Sequence, residues 1–178
     1  MNGPVLSDLP DVGDFEVVHM GGDSGKLIRF AQWLNGNGFK DYEHARIYVG
    51  NGQIVEAQPG GARLAPWSPD DGGLWSTGLI PLTALQRSAL VSAARKYIGT
   101  PYSAADYFAI AAVRLKFGLL VPYLHGYVAT SRHMICSQLV DQCYQDAGVH
   151  LFNDGRWPGY VTPGALADLL VSRRGKNQ

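Results

Sequence analysis

The sequence predicts an α+β fold, with strands mostly early and helices mostly late. Three observations carry that expectation. Alternating apolar residues flank the Asn51-Gly52 turn signal, capped segments of helical period dominate after residue 83, and no repeat or low-complexity tract divides the chain. With 178 residues, 46% hydrophobic and 11% aromatic, the chain can bury one full core and is expected to form a single domain over 1–178.

In order, "GDFEVVHM" (13–20) reads as a strand after a Gly-Asp turn, with Asp14 in a turn role. "GKLIRFAQWLN" (25–35) reads as a short helix stopped by "GNG". "KDYEHARIYVGNGQIVEAQPGG" (40–61) is a hairpin. Residues 59–78, dense in Gly, Pro and Asp, read as an irregular loop ahead of a short strand at "LIPL". Then come helices. "TALQRSALVSAARKYIG" opens with Thr83 and Gln86 in capping-box spacing and ends with Lys96 and Gly99. "SAADYFAIAAVRLKF" repeats the start signal with Ser103 and Asp106. "MICSQLVDQCYQDAG" places Cys136, Val140, Cys143 and Ala147 on one stripe, and "TPGALADLLV" has Thr162 as N-cap with Pro163 at the first helical position.

Charge excludes one partner class. Fifteen Lys+Arg balance fifteen Asp+Glu, so the basic footprint of a nucleic-acid binder is missing. The one basic run, "SRRGKNQ", reads as a solvated tail. The N-terminus lacks a basic start followed by an apolar run, so no signal peptide is expected here, and the chain is read as cytoplasmic at synthesis, a description that phage-encoded and effector-like proteins also meet. The most apolar segment, 104–124, is interrupted by Arg114, Lys116, Gly118 and Pro122; a buried helix followed by a loop is expected, with membrane or lipid contact as the lesser reading. Seven residues of helix put Cys136 and Cys143 about 10 Å apart, beyond the roughly 7 Å reach of a disulfide, so both read as free thiols. Two cysteines without a CxxC pair or clustered histidines do not make a zinc site, and no cofactor is expected.

The chemistry rests on parity in the hairpin. Side chains alternate across a strand, so the turn decides which residues share a face. A two-residue Asn51-Gly52 turn would pair 50 with 53 and put His44 and Glu56 on opposite faces. A three-residue turn, Gly50-Asn51-Gly52, pairs 49 with 53 and 46 with 56, and unites them. The second register also gathers Ala45, Ile47, Val49, Val55 and Ala57 into an apolar face fit to pack on a helix, leaving a mostly polar face of His44, Arg46, Tyr48, Ile54, Glu56 and Gln58. It is the register adopted here. Alone, a His/Glu pair is an ordinary feature of a wet face.

Cys136 changes that. It opens a helix, where partial positive charge and unpaired N–H groups lower a thiol pKa and favour the reactive thiolate. Cys143, two turns further in, reads as a buried structural residue. A thiol at a helix start, a histidine to take its proton and a carboxylate to orient the imidazole form the triad of a cysteine nucleophile. His133 reads as a residue of the approach loop, while His19, His125 and His150 have no constellation around them. Trp67, Trp75 and Trp157 either wall a cleft or cover the core.

Together "HARIYVGNGQIVEA", "GTPYSAADY", "ICSQLVDQCY" and "VTPGALADL" resemble the NlpC-type papain-like cysteine peptidases over most of the chain. The family's Cys helix reads like "CSGLV" and its His strand like "HVGIYVGNG", with a third polar residue in an "IHA"-like context on the next strand. The matching positions are Cys136, His44 and Glu56. "GTPY" is similar to the family's "GxPY", which implies that Tyr102 is an oxyanion or substrate-positioning hydroxyl. The usual family order is Cys before His; here His44 and Glu56 come first, which resembles the circularly permuted branch, as does a glutamate in third place. Lecithin:retinol acyltransferase-like proteins share the order, but their "NCEHF" context differs from "ICSQLV". The resemblance implies a papain-like fold and a hydrolase of amide bonds, acting as a thiol peptidase or amidase on peptidoglycan fragments or other small peptides. Two alternatives stand beside it. One is a lipid acyltransferase or thioesterase working through an acyl-Cys, with 104–124 lining an acyl tunnel; the other is a catalytically silent binding module.

Overall fold

Asn51 and Gly52 both sit at positive φ, 54° and 65°, so the hairpin closes through a two-residue type I′ turn whose twist suits the strands it joins. The computed structural model describes residues 10–19, 42–68, 72–101, 135–155 and 161–176. The expected helices at 25–35 and 103–117, together with Tyr102, His125, His133 and Trp157, lie outside the described residues.

Among the described residues five strands form one antiparallel sheet: β1 (Phe15–Val18), β2 (His44–Gly50), β3 (Gln53–Gln58), β4 (Gly61–Pro66) and β5 (Leu74–Trp75). Their spatial order is β4-β3-β2-β1-β5, which puts the hairpin strands inside the sheet. The turn is shorter than the three residues expected, because Gly50 itself pairs with Gln53. The register nevertheless agrees from Tyr48 downward: Tyr48 faces Ile54 and Arg46 faces Glu56. Val49 is the residue that reconciles them, an extra position in β2 that shifts the ladder by one.

Residues 59–78 are not one irregular loop. Gln58 pairs with Gly61 across Pro59-Gly60, and β4 runs beside β3 as far as Pro66. Gly60 and Gly61 make the tight reversal at φ 107° and 115°. Gly61 also lies so close to the segment after the first helix that an added Cβ would sit 2.9 Å from the Thr100 carbonyl oxygen. Nor is "LIPL" a strand. Leu79 and Ile80 direct their N–H groups back to the Ser76 carbonyl, and Gly78, at φ 70°, lets the chain turn there.

Three helices are found among the described residues: α1 (Ala84–Lys96), α2 (Cys136–Asp146) and α3 (Pro163–Arg174). Thr83 and Gln86 form the expected capping box of α1, and Thr162 caps α3 with Pro163 just inside. The apolar sheet face built from Phe15, Val17, Ala45, Ile47, Val55 and Ala57 shares one core with Leu90 and Ala94 of α1, Leu139, Val140, Cys143 and Tyr144 of α2, and Leu166 and Leu170 of α3. The Tyr144 ring meets Phe15 edge-on at 5.5 Å, and its hydroxyl donates to the Gly13 carbonyl at 3.0 Å, so α2 is tied to the start of β1. Asp14 anchors rather than reacts: fully buried, it accepts from the Asp11 N–H and from Arg87 Nη1 of α1. The chain is therefore α+β, its three described helices packed on the apolar face of an antiparallel sheet. Among the described residues no helix is long and apolar enough to cross a membrane.

Candidate active site

His44 is the first residue of β2, and Glu56 lies on β3 opposite Arg46. Since 44 and 46 share a face, so do His44 and Glu56. The ring nitrogen Nε2 stands 2.8 Å from Glu56 Oε2. Only 3% of either residue is exposed, so the face expected to be wet is in fact dry, and the pair is electrostatically strong.

Cys136 is the first residue of α2 and is fully buried. Its thiol hydrogen-bonds the His44 side chain, joining the first residue of a helix to the first residue of a strand. An imidazole has one bonding direction per nitrogen. With Nε2 committed to Glu56, Nδ1 is the nitrogen left for the sulfur.

The local sequence explains why the helix start is open. Thr83 and Thr162 cap α1 and α3 through their hydroxyls, but the N-cap of α2 is Ile135, whose side chain has no oxygen to offer; Gln138 Oε1 accepts only from the Ile135 N–H itself, at 3.5 Å. An α-helix leaves its first N–H groups without intrahelical acceptors. A helix start of this kind adds positive potential beside a thiolate at its first residue.

Protonation follows from these contacts. Burial acts most strongly on His44 and opposes its protonation; the charge and hydrogen bond of Cys136, then the hydrogen bond and charge of Glu56, outweigh it and carry the imidazolium from 6.5 up to about 9. For Glu56 burial again acts first and against ionisation, but the hydrogen bond and charge of His44, then those of Arg63, hold the carboxyl down at about 2. The arrangement therefore favours carboxylate beside imidazolium, with the thiol as the source of the second proton. Cys143 contrasts with this. Burial, then the charge of Asp146, push its thiol well above the usual range, as suits an inert core residue.

Two neighbours of Glu56 were not anticipated in that role. Arg63 of β4 donates from Nε and Nη2 to Glu56 Oε1 at 3.0 and 2.8 Å, and Gln58 Nε2 donates to Oε2 at 2.9 Å. On the other side, Arg46 Nε donates to Glu16 Oε2 at 2.6 Å. The register places Glu16 opposite Arg46, Arg46 opposite Glu56 and Glu56 opposite Arg63, a row of alternating charge across four strands. Expecting a loop at 59–78 hid Arg63. Continuing the hairpin through a two-residue Pro59-Gly60 turn would have placed it opposite Glu56.

Tyr102 and His133 lie outside the described residues. The "GT" before Pro101 is bonded to the outer edge of β4: Ala62 N–H donates to the Thr100 carbonyl, and Gly99 N–H to that of Ala62, both at 2.8 Å. Trp67 and Trp75 pack edge-on against each other and against Tyr48, forming an aromatic group near the turn end of β2. A cavity of about 810 Å³, lined by Leu79, Phe152, Leu169 and Arg173 among others, includes none of Cys136, His44 and Glu56. Among the described residues no group of three His, Cys, Asp and Glu side chains is placed to hold a metal ion. The chain matches no protein-family model and no curated protein.

Proposed function

We propose that the protein is a cysteine hydrolase of amide bonds, a thiol peptidase or amidase with a papain-like, circularly permuted NlpC-type architecture, acting on small peptides such as peptidoglycan fragments. The observation that carries this reading is the double engagement of His44, bonded to the Cys136 thiol and to the Glu56 carboxylate in a buried site. A histidine with no chemical task does not require both partners. The resemblance of the motifs supports the architecture and the substrate class.

In this mechanism the Cys136 thiol passes its proton to His44 Nδ1, and the thiolate sulfur bonds to the carbonyl carbon. The carbonyl π electrons move onto oxygen, where N–H groups of the uncapped α2 start stabilise them. Collapse breaks the C–N bond as the imidazolium returns its proton to the leaving amine, giving an acyl-Cys136. Water then attacks with His44 as base, and the carboxylic acid departs with the thiol restored. Glu56 remains ionised throughout and fixes the tautomer that leaves Nδ1 facing sulfur.

The test is alkylation of Cys136 by iodoacetamide against pH, read by mass spectrometry, together with turnover of small peptide amides and matched esters. An activated thiol labels well below the ~8.5 of a free cysteine. Labelling that follows ~8.5 would leave only a silent scaffold. Turnover of esters with no amide cleavage would move the assignment to acyl transfer.

A further inference from the structure

We propose that Arg63, together with Gln58, is a clamp that holds the Glu56 carboxylate in the orientation that serves His44, which makes Arg63 a positioning residue of the site; the proposal rests on the triad reading above. A carboxylate on a flexible side chain has a broad terminal torsion, and one bond to an imidazole does not define it. Glu56 has four donors instead. Oε1 takes Nε and Nη2 of Arg63, and Oε2 takes Gln58 Nε2 beside His44 Nε2. The clamp also closes on itself, because Arg63 Nη2 donates to Gln58 Oε1 at 3.0 Å. That bond settles which end of the Gln58 amide faces Glu56: reversing it would set amide hydrogens against guanidinium hydrogens and an oxygen against a carboxylate.

Register makes the clamp. Arg63 stands directly opposite Glu56, and Gln58 is two residues along β3 on the same face. The charged and titratable groups around Glu56 come from each packed strand: His44 and Arg46 on β2, Glu16 beyond them on β1, Arg63 on β4, with the Cys136 thiol across the imidazole. The guanidinium arm is open, the Arg63 side chain being 58% exposed against 4% for the Glu56 it holds. Core packing therefore does not account for its position, whereas the two charge-assisted bonds that Nε and Nη2 converge on Oε1 do.

The direction of the effect separates positioning from the other roles an arginine can have. A fixed Glu56 stabilises the imidazolium, so it lowers the pH at which Cys136 becomes thiolate and raises the pH at which His44 loses its proton. If Arg63 positions Glu56, removing it narrows that window from both sides. If Arg63 acted only as a positive charge near the ring, removing it would raise the upper limit. A purely structural residue would change stability and move neither limit.

The experiment uses the full chain with Arg63→Ala, Arg63→Lys and Gln58→Leu. Iodoacetamide alkylation of Cys136 reads the lower limit, and the NMR titration of the His44 ring reads the upper. Arg63→Ala is expected to narrow the window at both ends and to slow alkylation at neutral pH by about tenfold. Arg63→Lys restores the charge without the fork and is expected to recover little; Gln58→Leu shows a smaller narrowing. Because the Arg63 side chain is 58% exposed, methylguanidinium is expected to restore Arg63→Ala, and methylammonium is not. Unmoved limits in Arg63→Ala, an upper limit that rises, or full recovery by lysine would each overturn the clamp while the triad stands. A wild-type thiol that titrates near ~8.5 would instead overturn the triad, and the clamp with it.

Discussion

Replacing Glu56 by glutamine asks how much of the His44 charge state the carboxylate supplies. The substitution keeps an acceptor oxygen of nearly the same shape 2.8 Å from Nε2 and removes the charge. Raising His44 from 6.5 to about 9 corresponds to about 3 kcal/mol of preference for imidazolium, at 1.36 kcal/mol per pH unit. Cys136 supplies the larger part of what raises it and Glu56 the smaller, both against burial. A hydrogen bond to a charged acceptor is stronger than one to a neutral acceptor by on the order of 1 kcal/mol, and Glu56→Gln is therefore expected to bring the His44 midpoint down by about one pH unit. Two assays read it. The ring resonances of His44 titrate directly by NMR, and the alkaline limb of the hydrolysis profile follows the same proton, because the leaving amine needs it. The variant is expected to lose about twofold in kcat/KM at pH 8 and to approach a tenfold loss by about pH 10. A His44 midpoint still near 9 in the variant would refute the reasoning, since it would mean that the thiolate alone holds the imidazolium.

Cys136→Ser removes the partner with the greater influence on His44, so the NMR midpoint of His44 is expected to fall further than in Glu56→Gln; a smaller fall would reverse the order of the two partners. Stability should depend on pH with a definite sign. Glu56, depressed from 4.5 to about 2, stabilises the fold above 4.5 and loses that contribution as pH falls through 2, while His44, raised from 6.5 to about 9, contributes fully below 6.5 and loses its share as pH rises through 9. Urea unfolding is thus expected to show the contribution of the pair at its greatest between pH 4.5 and 6.5, falling by up to about 3 kcal/mol on the alkaline side, and a flat profile from 6 to 10 would count against it. Ile135 gives a contrast between two substitutions at the uncapped helix start. Ile135→Val trims a buried side chain and is expected to cost about 1 kcal/mol in unfolding free energy with alkylation of Cys136 unchanged; Ile135→Thr adds a capping oxygen that takes up first-turn N–H groups, and is expected to slow alkylation at neutral pH severalfold.

Parity explains both what was legible in the sequence and what was not. The shared face of His44 and Glu56 was found by counting backward from the turn, and the conclusion holds although the turn is two residues long, because the extra residue at Val49 shifts the ladder as a third turn residue would have done. Turn length and bulge enter the count as the same integer, so pairing at Arg46 and Glu56 cannot distinguish them; the pairing of Gly50 with Gln53 does. The helices α1 and α3 were legible because a Thr cap is a local signal that needs no tertiary partner. β4 was missed for the opposite reason. A strand that starts at Gly61 and stops at Pro66 has weak propensity of its own and exists because β3 offers it a ladder. With β4 went Arg63, so Glu56 is legible as the partner of His44 but not as a carboxylate with both oxygens engaged. Burial of that face, too, is a property of what covers it, which no period along β2 or β3 encodes. The same arithmetic that united His44 with Glu56, carried one strand further across Pro59-Gly60, sets Arg63 opposite Glu56. The positions of the proposed triad and its clamp on the sheet thus follow from one rule applied to two consecutive turns, and what that rule cannot supply is the approach of α2, which brings Cys136 to the free side of the imidazole.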